Sequence, residues 1–249
     1  NSGLPDYRPY FKELAEVDLS RRRALILTRI LDEPLAYPIG EKVVYSDLGF
    51  MLLRGIIETV SSRRLDDMVQ QEIFVPLQLK DLFFVDLENP PLTDGFAATE
   101  TCPWRQTRIR GVVHDENAYV VGGVDGHAGL FGTAADIHCL LVEMLDTYSG
   151  GLSHHIFQPD LLKEFLDYGK GTERALGFDR PAENGSASGS HFSKNSVGHL
   201  GFTGTSFWMD LDRSIIIILL TNRVHPGRDN EKIRNFRPVL HDAVMETLC

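Results

Sequence analysis

Cysteine is scarce: Cys102, Cys139 and Cys249 are the three in 249 residues. An odd number with no C-x-x-C spacing implies neither a disulfide framework nor a zinc ribbon, and it leaves the compartment unassigned. Long apolar runs are missing as well. Residues 215–220 form an apolar stretch of six, far short of the roughly 20 that cross a bilayer, so they read as a buried strand. Positive charge is in deficit, with 25 Lys and Arg against 35 Asp and Glu and a formal net charge of -10. With a pI near 5.3, this argues against nucleic acid or an anionic membrane as a partner, since both select a basic footprint. The short clusters Arg21, Arg22, Arg23 and Arg63, Arg64 lie beside apolar helical stretches and read as solvated helix ends.

Two nucleophile signatures are also absent. No serine begins an S-x-x-K: Ser61 is followed by Ser-Arg-Arg, Ser190 by His-Phe-Ser and Ser193 by Lys-Asn-Ser, and there is no G-x-S-x-G. The opening Asn1-Ser2-Gly3-Leu4-Pro5 is turn-like and carries neither an initiator Met nor a signal peptide. It reads as the interior of a longer protein, with an exported origin neither shown nor excluded.

What is present suits one large or two intimately packed domains, since 43% of the residues are hydrophobic. Ser20 can cap a helix carrying Leu25, Ile26, Leu27, Ile30 and Leu31, ended by Pro34, Pro38 and Gly40. A second helix runs from the Tyr45 segment to about Val60, and a third covers 65–74 before Pro76. Residues 80–121 lack a period and read as irregular or as short strands. Residues 122–132, GGVDGHAGLFG, hold five glycines in eleven positions, which demands unusual backbone angles or close approach of another backbone. Thr133 and Asp136 have capping-box spacing before a helix with Ile137, Leu140, Leu141, Met144 and Leu145. Residues 182–196, rich in Ser, Gly and Asn, read as a mobile loop or hairpin tip. Residues 198–211 and 214–222 read as a hairpin turned at Asp212-Arg213, and a terminal helix carries Ile233, Phe236, Val239, Leu240, Val244 and Leu248.

Candidate chemistry sits at three places. Tyr45-Ser46-Asp47 precedes an apolar helical run, where a Ser or Asp is by itself an ordinary N-cap. His199-Leu200-Gly201 opens a strand, and alone it is an ordinary strand-end histidine. The glycine loop with Gly126, His127 and Gly129 matches neither a P-loop nor a complete G-x-G-x-x-G after a strand, so nucleotide binding carries little weight. His114-Asp115-Glu116 has ligand types, but adjacent residues do not converge on one ion, and a solvated loop is expected. His154-His155 lacks a third ligand. No metal and no cofactor are expected.

Taken in order, Tyr45-Ser46-Asp47, GHAGLFGTAADI at 126–137, GHLGFTGTSFWMD at 198–210 and SIIIILLTNR at 214–223 resemble the serine β-lactamase and penicillin-binding-protein superfamily. The likeness is to its class C β-lactamase-like hydrolases and esterases, whose motifs are S-x-x-K, Y-x-N and K-T-G or H-x-G. Ser2-Gly3-Leu4-Pro5 looks like the family segment just downstream of the nucleophile helix, and VHDENA at 113–118 is similar to a stretch of a subset of these hydrolases.

The resemblance implies an α/β (α+β) fold of the β-lactamase/transpeptidase type, an antiparallel sheet flanked by helices plus a mainly helical region. The chain would be a single domain fragment over 1–249, mainly helical over about 20–180, with sheet strands and a C-terminal helix over 190–249. The first strands and the nucleophile helix would be missing. Tyr45, Asp47 and His199 are then the implied catalytic residues, with Gly201, Phe202 and Thr203 at the substrate and oxyanion edge, the N–H of Phe202 in the oxyanion position. Gly126, His127 and Gly129 line the loop near the site. A serine would form an acyl-enzyme, with Tyr45 as base or proton relay. Asp47 stands where the family more often has Asn, and an ionised Asp can only accept, which disfavours the acyl-amide carbonyl of a penicillin.

The implied activity is that of a serine hydrolase on an ester, a peptidoglycan-type peptide or a β-lactam. The rival is a non-catalytic member that binds or senses. Without its S-x-x-K segment the chain is expected to be inactive alone, and its partners would be a small-molecule or peptidoglycan-like substrate and the missing N-terminal segment or a second copy. A bacterial periplasm or cell envelope is suggested by the resemblance only.

Overall fold

The computed structural model describes residues 1–91, 95–169 and 173–248; Cys249 lies outside them. In chain order come α1 (Phe11–Leu14), α2 (Leu19–Leu31), α3 (Asp47–Ser61) and α4 (Leu65–Val69), the last continued by a π-helical turn, Gln70–Phe74. Strands β1 (Leu82–Phe84), β2 (Thr101–Cys102) and β3 (Thr107–Arg108) precede α5 (Glu116–Val120), β4 (Leu130–Gly132), α6 (Ala134–Ser149) and α7 (Pro159–Asp167). Strands β5 (Ser196–Leu200), β6 (Ser206–Asp210) and β7 (Ile215–Leu219) lead to α8 (Ile233–Leu248). No helix among the described residues is long and apolar enough to cross a membrane. The elements fall into two compact units: Asn1–Phe74, Leu82–Phe96 and Ile109–Phe131 form the first; Val75–Asp81, Ala97–Arg108 and Gly132–Cys249 form the second.

The first unit is helical. Its core gathers Leu14, Ile26, Ile30, Leu48, Met51, Val120 and Val121, contributed by α1, α2, α3 and the end of α5. Leu48, Met51 and Gly55 recur on the inward stripe of α3. A Cβ at Gly55 would stand 2.8 Å from the Leu27 methyls, so the missing side chain is what lets α2 approach α3. The helix expected to be capped by Ser20 begins two residues earlier, at Leu19, and Asp18 holds the N-cap position without a side-chain bond to the backbone.

In the second unit β5, β6 and β7 form an antiparallel sheet in that order. Val197 pairs with Met209 and Met209 with Ile216, while Gly198 pairs with Trp208 and Trp208 with Ile217. Alternation sends the first set toward Leu141, Leu145, Leu162 and Leu166 of α6 and α7. The second set faces Phe192 and Met245 of α8. Both faces of β7 are covered, which is why its five residues are apolar without alternation.

The hairpin predicted over 198–222 is a three-stranded meander. Its first reversal comes at 201–204, where the Gly201 N–H donates to the Thr205 carbonyl at 2.8 Å and the Gly204 N–H to the Gly201 carbonyl at 3.1 Å. Gly204 sits at φ +121°, where a side chain is strained. Of residues 182–196, read as a mobile loop or hairpin tip, Ser196 opens β5 and the rest carry no helix or strand, yet they are pinned to α8. Asp242 accepts from the backbone N–H groups of Ser190 and His191, and buried His241 meets the Ala187 carbonyl at 2.8 Å.

Candidate active site

In the first unit the site begins with a serine that is fully employed. Ser46 is buried, accepts from the Gly49 N–H at 3.1 Å and donates to the Pro5 carbonyl at 2.6 Å. It is the N-cap of α3 and ties 1–6 to that helix, helped by the Asp47 N–H donating to the Asp6 carbonyl at 2.9 Å. The two flanking side chains are thereby fixed at the helix start. Tyr45 is 44% exposed, and Asp47 occupies the first turn of α3, where the helix dipole favours a carboxylate.

The glycine loop delivers His127 to Asp47. A Cβ at Gly126 would lie 2.2 Å from the Phe50 carbonyl of α3, and one at Gly129, held at φ +121°, would lie 2.3 Å from the Gly123 carbonyl. Glycine is required here because backbone packs on backbone. Gly126→Ala is expected to push the loop off α3 and cost about 1–3 kcal/mol, as overpacking does, read as a lower urea midpoint. A midpoint equal to wild type would refute the close approach.

His127, its side chain 3% exposed, places Nε2 2.8 Å from Asp115 Oδ1. That same oxygen accepts from the Ala118 N–H at 2.7 Å and caps α5. Ligand atoms of Asp47, Asp115 and His127 lie within 4.8 Å of one another. Their types would suit a divalent ion, but the short His127–Asp115 contact is the geometry of a shared proton. Behind the loop, Asp125 is fully buried and accepts from Arg54 Nε at 3.0 Å and from the Gly126 N–H at 2.7 Å. Arg54, also buried, continues to Glu58 at 2.9 Å, and Glu58 meets Arg23 at 2.5 Å.

Electrostatics follow from this crowding. Burial pushes the Asp47 carboxyl above its ordinary pKa; the charge of His127 opposes this, and Asp115, Asp6 and Asp125 add to it. For His127, burial disfavours the imidazolium, but the Asp115 bond and the charges of Asp115, Asp125 and Asp47 outweigh it and raise the pKa. Asp115 is desolvated too, yet the bond and charge of His127 and the Ala118 N–H hold its pKa down.

The second unit presents His199, Gly201, Phe202 and Thr203 at the end of β5 and the reversal after it. His199 pairs in register with Phe207. Burial, then the charge of Arg174, lowers its pKa, so the neutral ring is favoured near neutral pH. Arg237 of α8 is buried and donates to the carbonyls of Gly201 at 3.1 Å and Thr205 at 2.7 Å, fixing the turn. Arg223 donates to the Phe202 carbonyl at 2.7 Å and stacks on its ring at 4.4 Å. Phe202 is 57% exposed. A Cβ at Gly201 would meet Thr205 Oγ1 at 2.1 Å.

Asp115 was the residue that spacing misjudged. The expected solvated loop at His114-Asp115-Glu116 is instead packed, with His114 and Glu116 both buried and Asp115 at the N-cap of α5. The signal was an Asp ahead of Glu116-Asn117-Ala118, a capping pattern for a helix too short to show a period. His154 Nδ1 lies 3.1 Å from Glu143, whose carboxylate also accepts from the backbone N–H groups of His154 and Ile156.

A model of the Beta-lactamase family matches residues 1–239. The chain belongs to that family. It is similar to an N-acetylmuramyl-L-alanine amidase of Bacillus subtilis (strain 168), 36% identical over 94% of this chain and 57% of the relative. A protein of Escherichia coli (strain K12) provisionally named a D-alanyl-D-alanine carboxypeptidase is 34% identical over 90% of this chain and 55% of its own length. The chain thus spans little more than half the length of the curated relatives it matches. In fold it is similar to a penicillin binding protein from Bacillus halodurans, with a TM-score of 0.65 at 18% identity over 96% of this chain and 69% of that one. The mixed architecture of small antiparallel sheets and helices is that of the β-lactamase/transpeptidase fold.

Proposed function

We propose that this chain is the acceptor part of a serine hydrolase that cleaves an amide of the cell-wall peptide type through an acyl-enzyme, with Tyr45, Asp47 and His199 in catalytic positions. The observation that carries the reading is the state of Ser46. Its hydroxyl is spent on the cap and on Pro5, so it serves to present Tyr45 and Asp47 and is no nucleophile. The names of the two relatives support an amide substrate, a muramyl-L-alanine or D-alanyl-D-alanine linkage.

In this scheme a serine of an S-x-x-K segment, which the 249 residues do not contain, attacks the carbonyl. The C–N bond breaks, Tyr45 passes the serine proton to the leaving amine, and water then releases the acid and restores the serine. The Phe202 N–H stabilises the oxyanion, and His199, held neutral, donates to a substrate oxygen. Gly201 and Thr203 line the approach, and Gly126, His127 and Gly129 carry the loop beside Asp47. An ester remains a chemically equivalent substrate. A β-lactam is disfavoured because Asp47, once ionised, only accepts.

The absence of S-x-x-K supports a second reading, a pocket that binds without turnover. Intact mass separates the two, measured on this chain and on a longer product of the same gene, before and after a penicillin and a phosphonate serine probe. An adduct on the longer protein alone is the expected result and makes this chain inactive by itself. No adduct on either supports the binding reading, and an adduct on this chain overturns the assignment of the nucleophile.

A further inference from the structure

Asp47 is a carboxylate in a place already rich in carboxylates. Asp115, Asp125 and Asp6 surround it, and among the described residues of that neighbourhood Arg54 is committed to Asp125 and Glu58, and Arg23 to Glu58 and the carbonyls of Val121 and Val124. A positive charge beside Asp47 and Asp115 favours the ionised form of both. His127 reaches this spot on a loop whose Gly126 and Gly129 lie close against other backbone. Asp115 holds it through Nε2, itself locked by the α5 cap.

We propose that Asp115 and His127 are positioning residues for Asp47: Asp115 clamps the buried imidazole so that a proton on His127, rather than a metal ion, supplies the counter-charge that faces Asp47. The proposal rests on the catalytic reading of Asp47; the charge assignment rests on the 2.8 Å contact with Asp115 and on the carboxylates around the ring, with Nδ1 buried and making no hydrogen bond among the described residues. The carboxylates that bear most strongly on the imidazole fit it. Asp115 comes from α5, Asp47 from α3, and Asp125 from its own loop, with Oδ1 3.9 Å from Nδ1. The one neighbouring cation on α3, Arg54, is screened from the ring by its bond to Asp125. His114, next to Asp115, adds a weak favourable charge to that carboxylate. The consequence for mechanism is that the charge of His127 opposes the burial and the neighbouring carboxylates that raise the Asp47 pKa, whatever lysine a nucleophile segment brings.

The test is the ring-nitrogen spectrum of this chain labelled at histidine with 15N, recorded near pH 7 with EDTA and again with zinc chloride. The expected result is both His127 nitrogens in the imidazolium range with EDTA, unaltered by zinc. Asp115→Asn should return the ring to a neutral tautomer at the same pH, and Asp115→Glu should restore the imidazolium; spectral dispersion verifies that each variant is folded. A neutral His127 in the wild type, or one that changes only when zinc is added, overturns the proposal, as does a ring indifferent to Asp115→Asn. In the longer protein Asp115→Asn should slow phosphonate acylation about tenfold, the effect of one pKa unit of interaction. Its alkaline limb should move to lower pH. A rate and pH profile equal to wild type would overturn the positioning role. If the longer protein takes no phosphonate at all while His127 keeps its imidazolium signature, the catalytic reading falls and the charge assignment survives.

Discussion

Arg54→Ala is expected to destabilise the chain by about 3–5 kcal/mol, the cost of breaking a buried ion pair by removing one partner. Arg54 and Asp125 are both essentially without exposure, and Nε meets Oδ1 at 3.0 Å. With the guanidinium gone, Asp125 keeps among the described residues only the Gly126 N–H as a hydrogen-bond donor, and its second oxygen has none there. Glu58 fares better because Arg23 still reaches it at 2.5 Å. The asymmetry gives a control: Arg54→Met combined with Asp125→Leu removes both charges and should recover a large part of the loss, since an apolar pair of similar volume is often as stable as the ions it replaces. Urea unfolding at constant slope reads both. A loss below about 1 kcal/mol for Arg54→Ala, the range of an exposed pair, would show that water reaches Asp125 and that the network is not buried.

The same network explains what a linear reading of the chain recovers and what it misses. Helix α3, its Ser46 cap, α6 with its Thr133 cap and the terminal helix were legible because periodicity and capping are local properties. The reversal at 201–204 was hidden, since Gly-Phe-Thr-Gly reads as strand until Gly204 takes its left-handed angle. Helix α7 was missed although Pro159 stands in its first turn and Leu162 and Leu166 are buried four apart. Nine residues carry little periodic signal. Tyr45, Asp47 and His199 were singled out as candidates through motif order. Asp115, Asp125 and Arg54 were not, because what joins them is distance in space: 71 positions separate Arg54 from Asp125. The stretch 114–116 looked solvated only while His127, the partner of Asp115 in the glycine loop, was out of view.

Tyr45→Phe in a longer product of the gene is expected to lower turnover by about 10²- to 10⁴-fold, the range of a lost proton-transfer group. Stability should hardly change. The ring is 44% exposed and the helix start is secured by Ser46, which the substitution leaves alone. Ser46→Ala reverses the pattern: it removes the cap at a cost of about 1 kcal/mol and frees the Pro5 carbonyl, while the phenol stays. Its turnover should fall only as far as the helix start loosens. The pair of variants therefore separates presentation from chemistry at one turn of α3. A Tyr45→Phe enzyme with wild-type turnover would remove the phenol from the mechanism, leaving Asp47 and its imidazolium partner as an electrostatic feature of a binding pocket. A Ser46→Ala enzyme as inactive as Tyr45→Phe, yet as stable as wild type, would return the serine to the list of reacting groups despite its two hydrogen bonds.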